Sequence, residues 1–340
     1  MIKIVPVYGG RKLRQFINFP VKLYKNSKQF TPYIFEDEIS NLTPSKNPAS
    51  AWCDFKLFLA YRDRKIVGRI CGIISHYANK KYDQKRVRFN RIDMIDDIEV
   101  TKALIKAVEE WGYSRGMNEI VGPLGYSDQD KEGLLVEGFE YSNMFATFYH
   151  FPYYMKHLEE LGFVSDAVWV EHRIIIPKEI DERFERVSEM VKRKYNVKVR
   201  RLKSKRQIQP YVRKALALTN RAYDHLYGYV PMSEKLMDML ARQYVPLINL
   251  KYLILVVDEK DELLAFGLSI PSPVFALKKI KGKLFPFGFI RFLRALKKSK
   301  QLDLLLVAVE PELQNSGLAN VIMYESMKSA IADGIEYAET

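Results

Sequence analysis

Cysteine is nearly missing from this chain. Cys53 and Cys71 are the only two in 340 residues. That excludes a disulfide framework and a thiolate metal centre, and five scattered histidines supply no metal-ligand cluster either. No apolar run approaches the roughly 20 residues that a bilayer-spanning helix needs. The opening Met1-Ile2-Lys3-Ile4-Val5-Pro6 lacks the long apolar core of a signal peptide. The expected setting is therefore reducing and cytoplasmic. Disorder is excluded in turn by a hydrophobic content of 48%. At this length the chain can form two domains with substantial cores.

Acidic residues are also short, 41 against 54 lysines and arginines. The deficit is uneven: residues 1–176 carry 25 basic against 22 acidic side chains, and residues 177–340 carry 29 against 19. A basic half steers anionic ligands, either a polyphosphate cofactor or nucleic acid. Two stretches concentrate the charge. Lys192 to Arg206 holds nine basic residues in fifteen, and no acidic residue occurs between Glu262 and Asp303, where lysines and arginines from Lys278 to Lys300 alternate with Phe275, Phe285, Phe287, Phe289 and Phe292. The second stretch suits CoA phosphates, RNA or an anionic membrane, or it is a covering helix with snorkelled lysines.

The pattern of residues 57–74 predicts a hairpin whose second strand contains glycine, with a strand over 87–94 and a helix through Val100, Leu104, Val108 and Trp111 following it. Some 196 residues later, 254–270 repeats that pattern. Two copies of one α/β unit are the economical reading, divided near Pro177 into 1–176 and 177–340. Asp96, Asp97 and Glu99 crowd the helix start of the first copy, where carboxylates satisfy the free amides and repel phosphate. Residues 9–25 suggest a helix interrupted near Pro20. Within 112–165, Asp128, Asp130 and Glu137 with a dense Tyr/Phe cluster could receive a cationic amine, or form a self-packed loop.

The second copy differs. Leu302 to Val309 reads as a buried strand, Glu310 to Gly317 as a turn, and Ala319, Ile322, Met323, Met327, Ala330 and Ile331 as one helix face. Such a junction presents free backbone amides and the positive end of a helix dipole, which is an anion site. Gln314-x-x-Gly317-x-Ala319 after a buried strand resembles the Gln/Arg-x-x-Gly-x-Gly/Ala signature of the GNAT (GCN5-related N-acetyltransferase) superfamily. The resemblance implies an α/β fold of two tandem GNAT-like domains, each a mostly antiparallel mixed sheet flanked by helices. It implies acetyl-CoA or another acyl-CoA in the second domain, its pyrophosphate on Gln314, Asn315, Ser316, Gly317, Leu318 and Ala319 and its pantetheine along Val307, Ala308 and Val309. The first domain is then a degenerate copy, serving as scaffold or substrate wall.

The activity so implied is N-acyl, chiefly N-acetyl, transfer to a small-molecule or peptide amine, with no metal. Glu310 and Glu339 are the candidate bases, and Tyr223 the candidate acid, with Tyr227 and Tyr229 as alternatives. Family members continue past the strand that here ends at Thr340, so the second copy reads as truncated or incomplete. Two alternatives stand beside this reading: a Fem-type transferase, also a tandem GNAT fold, that uses aminoacyl-tRNA, and a non-catalytic acyl-CoA-binding protein.

Overall fold

A computed structural model describes residues 1–340. In chain order its first elements are β1 (Ile2–Val7), α1 (Gly10–Leu23), α2 (Phe35–Asn41), β2 (Cys53–Arg62), β3 (Lys65–Ser75), α3 (His76–Lys81), β4 (Arg86–Met94), α4 (Ile98–Tyr113), β5 (Glu119–Val121) and α5 (Tyr153–Glu160). There follow β6 (Arg173–Ile175), α6 (Glu182–Lys194), β7 (Lys198–Arg200), α7 (Gln209–Tyr223), α8 (Glu234–Tyr244), β8 (Leu253–Val257) and β9 (Leu263–Pro271). The last are α9 (Val274–Ile280), α10 (Gly288–Leu296), β10 (Gln301–Val309), α11 (Leu318–Ala332) and β11 (Tyr337–Glu339). The chain divides into two compact units, Met1–Trp169 with Pro273–Arg294, and Val170–Ser272 with Ala295–Thr340. The sequence places 273–294 with the second half; its packing is with the first.

Each unit holds one mixed sheet. In the first the order is β1-β2-β3-β4-β5, antiparallel throughout except for the parallel pair β4–β5. In the second it is β6-β11-β10-β9-β8-β7, with β10–β11 as the parallel pair. The expected repeat is thus present as the series β1 to β5 with α4 and the series β7 to β11 with α11. Parallel neighbours need a crossover, and one helix supplies it in each copy. Both helices approach their sheets at a glycine: a Cβ on Gly72 would lie 2.9 Å from the Trp111 ring, and one on Gly267 would lie 2.3 Å from Ile322 Cγ2.

Three expectations are corrected. Pro20 does not interrupt α1, which runs four residues past Phe19 to Leu23 with Pro20 buried. The buried face of α11 is Leu318, Val321, Ile322, Tyr324, Glu325 and Ala330, so Ala319 and Met323, which spacing places on one face with Ile322 and Ala330, face outward. In the aromatic stretch, Phe148, Tyr149, His150 and Tyr154 are buried, and Asp130 is bound to the Arg91 guanidinium at 2.8 and 3.0 Å. Asp130 is therefore already paired with a cation of the protein itself.

Candidate functional site

In the second unit the apolar run 301–309 forms β10, which pairs along its length with β9 and has an irregularity between Leu304 and Leu306. On its other side only Gln301–Asp303 meet β11. From residue 304 onward β10 is paired on one side alone. By strand alternation, Val307 and Val309 turn their backbone groups to the open edge and Ala308 turns its groups to β9. At Val307 one side chain meets that edge. The Tyr223 hydroxyl donates to the Val307 carbonyl at 2.9 Å and accepts from the Val307 amide at 3.4 Å. Burial raises the Tyr223 pKa further, so the phenol keeps its proton at neutral pH.

Pro311 ends the strand and starts a short turn. Asn315 and Gly317 take positive φ angles of 69° and 90°, and α11 then begins with no side chain capping it across Gly317. Ser316 Oγ accepts from the Leu318 amide at 3.3 Å, whereas the amides of Asn315, Gly317 and Ala319 meet no acceptor within the chain. Gln314, Asn315 and Ala319 are exposed. The need for glycine at 317 is conformational as well: a Cβ there would face Val191 Cγ2 of α6 at 2.9 Å, on the protein side rather than the solvent side. Apart from the Leu318 amide, which Ser316 takes, these donors are open, and with the dipole of α11 they suit a diphosphate.

The corresponding junction in the first unit is closed twice. Asp97 Oδ1 accepts from the Glu99 amide at 3.0 Å, and its other oxygen pairs with Arg62 at 2.5 Å. Beyond the three residues that β5 pairs, the Met94 amide donates to the Tyr154 hydroxyl at 3.2 Å, and the Met94 carbonyl accepts from Tyr153 at 2.7 Å. The aromatic stretch seals this edge.

The two predicted bases are not brought together. Glu310, at the end of β10, is gripped through both oxygens by Arg221, at 3.2 Å for Nε and closer for Nη2. Glu339 accepts from Arg173 at 2.5 Å and from Gln301 Nε2 at 2.7 Å. Guanidinium partners occupy the lone pairs a base would use. Sequence reasoning missed Asp303, fully buried on β10 and bonded by Ser272 Oγ at 3.1 Å and Gln301 Nε2 at 2.9 Å. Burial first, then the charges of Glu339 and Glu171, push its carboxyl up to about 7. The signal was available: Asp303 is the one charge in an otherwise apolar strand.

A carboxyl whose folded pKa exceeds its unfolded value costs nothing below about pH 4, and its cost grows until pH passes about 7. Asp303→Asn can accept from Gln301 and donate to Ser272, so it keeps the shape and removes the titration. The variant is expected to melt above the parent at pH 8, by an amount on the order of 1–4 kcal/mol, and level with it at pH 4. Scanning calorimetry at both pH values checks this.

No family model matches the sequence. Two curated proteins resemble it over most of its length: Protein YghO of Escherichia coli (strain K12), 28% identical over 91% of this chain and 79% of its own, and the Bacterial ceramide synthase of Caulobacter vibrioides, 27% identical over 97% and 86%. Among solved structures, a tandem GNAT protein from the clavulanic acid biosynthesis pathway aligns with all of this chain and 89% of its own, with a TM-score of 0.54 at 10% identity. The GCN5-related glucosamine N-acetyltransferase region of a fungal multi-domain β-N-acetylglucosaminidase aligns with all of this chain and 35% of its own, with a TM-score of 0.55 at 11% identity. Two sheets, each with one parallel pair joined by a crossover helix, together with these alignments, give the chain a tandem GNAT fold.

Proposed function

We propose that the chain is an acyl-CoA-dependent N-acyltransferase that carries its acyl donor in the second unit. The observation that supports this most is the contrast between the two helix starts: the amides of Asn315, Gly317 and Ala319 have no acceptor within the chain in the second unit, whereas an Asp97 carboxylate caps the start in the first. Gln314 to Ala319 would hold the diphosphate, and the Val307–Val309 edge the pantetheine. Acyl-CoA supplies a thioester carbonyl open to attack by an amine. The protein binds the carrier, fixes its direction along β10, and at Tyr223 holds a proton on the edge itself.

The likeness to a protein named as a ceramide synthase bears on the acceptor. A ceramide is the fatty amide of a long-chain amino alcohol, so the reading extends to a long-chain acyl donor and a long-chain amine in place of acetyl transfer. The assay is thiol release from long-chain acyl-CoA with a long-chain amino alcohol, against acetyl-CoA with small amines. Faster release with the long-chain pair supports the reading, and no amine-dependent release from any pair removes it.

Tyr223→Phe separates two roles for the phenol. If it donates the proton, kcat is expected to fall on the order of 10²-fold while acyl-CoA affinity holds. Should it only cover Val307, kcat holds and any change falls on acyl-CoA affinity.

A further inference from the structure

The acyl-carrier reading leaves the segment 273–294 without a role. This segment packs with the first unit, and one side of it is firmly seated. Val274, Ala276, Leu277 and Phe292 are buried. Lys278 Nζ donates to the Lys28 carbonyl at 2.7 Å and to Ser142 Oγ at 2.5 Å, and the Gly282 carbonyl accepts from the Phe35 amide at 2.9 Å. The opposite side is bare. Phe275, Phe285 and Phe287 are 73%, 73% and 71% exposed, and Phe289, Ile290 and Leu293 are exposed beside them.

Single exposed apolar side chains are ordinary; six large ones within nineteen residues are not. Among them stand the exposed cations Lys279, Lys281, Lys283, Arg291 and Arg294, and the whole stretch 263–302 contains no acidic residue. Cations interleaved with exposed phenylalanines complement a surface that is anionic at its face and apolar just beneath it. Nucleic acid would use the charges and stack on the rings but has nothing to cover Ile290 and Leu293. An acidic protein partner would answer the charges, but no bare apolar surface of this extent is needed for that.

We propose that residues 275–294 are a peripheral membrane-docking face, with the phenylalanines set among the headgroups of an anionic bilayer and the lysines and arginines against the lipid phosphates. Nothing in this rests on acyl-CoA binding, and failure of either reading leaves the other standing.

The test is co-sedimentation of the full chain with phosphatidylcholine vesicles and with vesicles containing phosphatidylglycerol. The parent is expected to partition to the anionic vesicles only. Phe285→Ser with Phe287→Ser should weaken that partition at least about tenfold, since each ring removed from the bilayer forfeits its burial. Lys281→Glu with Arg291→Glu should weaken it about as much by reversing the surface charge. All four side chains are exposed, so circular dichroism and melting should stay those of the parent. Three results overturn the proposal: no partition of the parent, equal partition of the variants, or retention on RNA that survives the phenylalanine changes while vesicles are ignored.

Discussion

Arg91→Ala is expected to destabilise the first unit by about 3–5 kcal/mol, a large share of the 5–15 kcal/mol that holds a typical domain together. Arg91 is 2% exposed and sits on β4 with φ at 47°, a conformation a non-glycine residue keeps only where its surroundings impose it. Its guanidinium binds Glu38 at 2.9 and 3.0 Å and Asp130 at 2.8 and 3.0 Å. Burial alone would push the Glu38 carboxyl up; the Arg91 charge and hydrogen bonds outweigh that and hold it low. Removing the cation leaves two buried carboxylates facing each other. The loss should be largest at neutral pH and shrink as the pH falls, because the Glu38 carboxyl, no longer held low by Arg91, takes up a proton. Urea titration followed by circular dichroism at two pH values measures it, and a triple variant that adds Glu38→Gln and Asp130→Asn should recover part of the loss. Equal stability of Arg91→Ala and the parent would mean that the cluster is hydrated and not a buried network.

Gly317→Asp should abolish acyl-CoA binding, with at least about a hundredfold loss in affinity, because three effects act at one atom position. The residue sits at φ 90°, where any side chain is strained by roughly 1–2 kcal/mol. Its Cβ would press on Val191. Its carboxylate would put a negative charge beside the positive end of α11, next to the amides that are to receive the diphosphate. Gly317→Ala carries the first two effects without the charge and separates strain from anion exclusion. Isothermal titration with acyl-CoA reads both. If the aspartate and alanine variants bind alike, the charge at the helix start has no part in recognition.

Periodicity and turn chemistry made much of this architecture legible. The hairpins β2–β3 and β8–β9 and the helix α4 stand where alternation and caps put them. The crossover helix α11 was legible too, but its buried face is turned by about one residue, since spacing alone cannot tell a core stripe from its neighbour when Leu318, Ala319, Ile322 and Met323 are all apolar. The three-residue strands β5, β6, β7 and β11 each fall on a stretch that local pattern reads as a strand, but their partners and their places in the sheets are set by long-range pairing, which no local pattern reports. The charge of residues 273–294 is visible in the sequence and fits CoA phosphates, RNA, an anionic membrane or a covering helix alike, whereas their seat against Lys28, Phe35 and Ser142 is not visible there. Glu310 and Glu339 looked like free carboxylates in the sequence. Their arginines, Arg221 and Arg173, lie 89 and 166 residues away.

A crystal structure of the full chain grown with CoA tests the central claim most directly. The account predicts the diphosphate within hydrogen-bonding distance of the Asn315, Gly317 and Ala319 amides, the pantetheine along β10 from Val309 toward Leu304, and no CoA at the Asp97-capped start of α4. Diphosphate density at any other place, with the 314–319 bend bare, would contradict it.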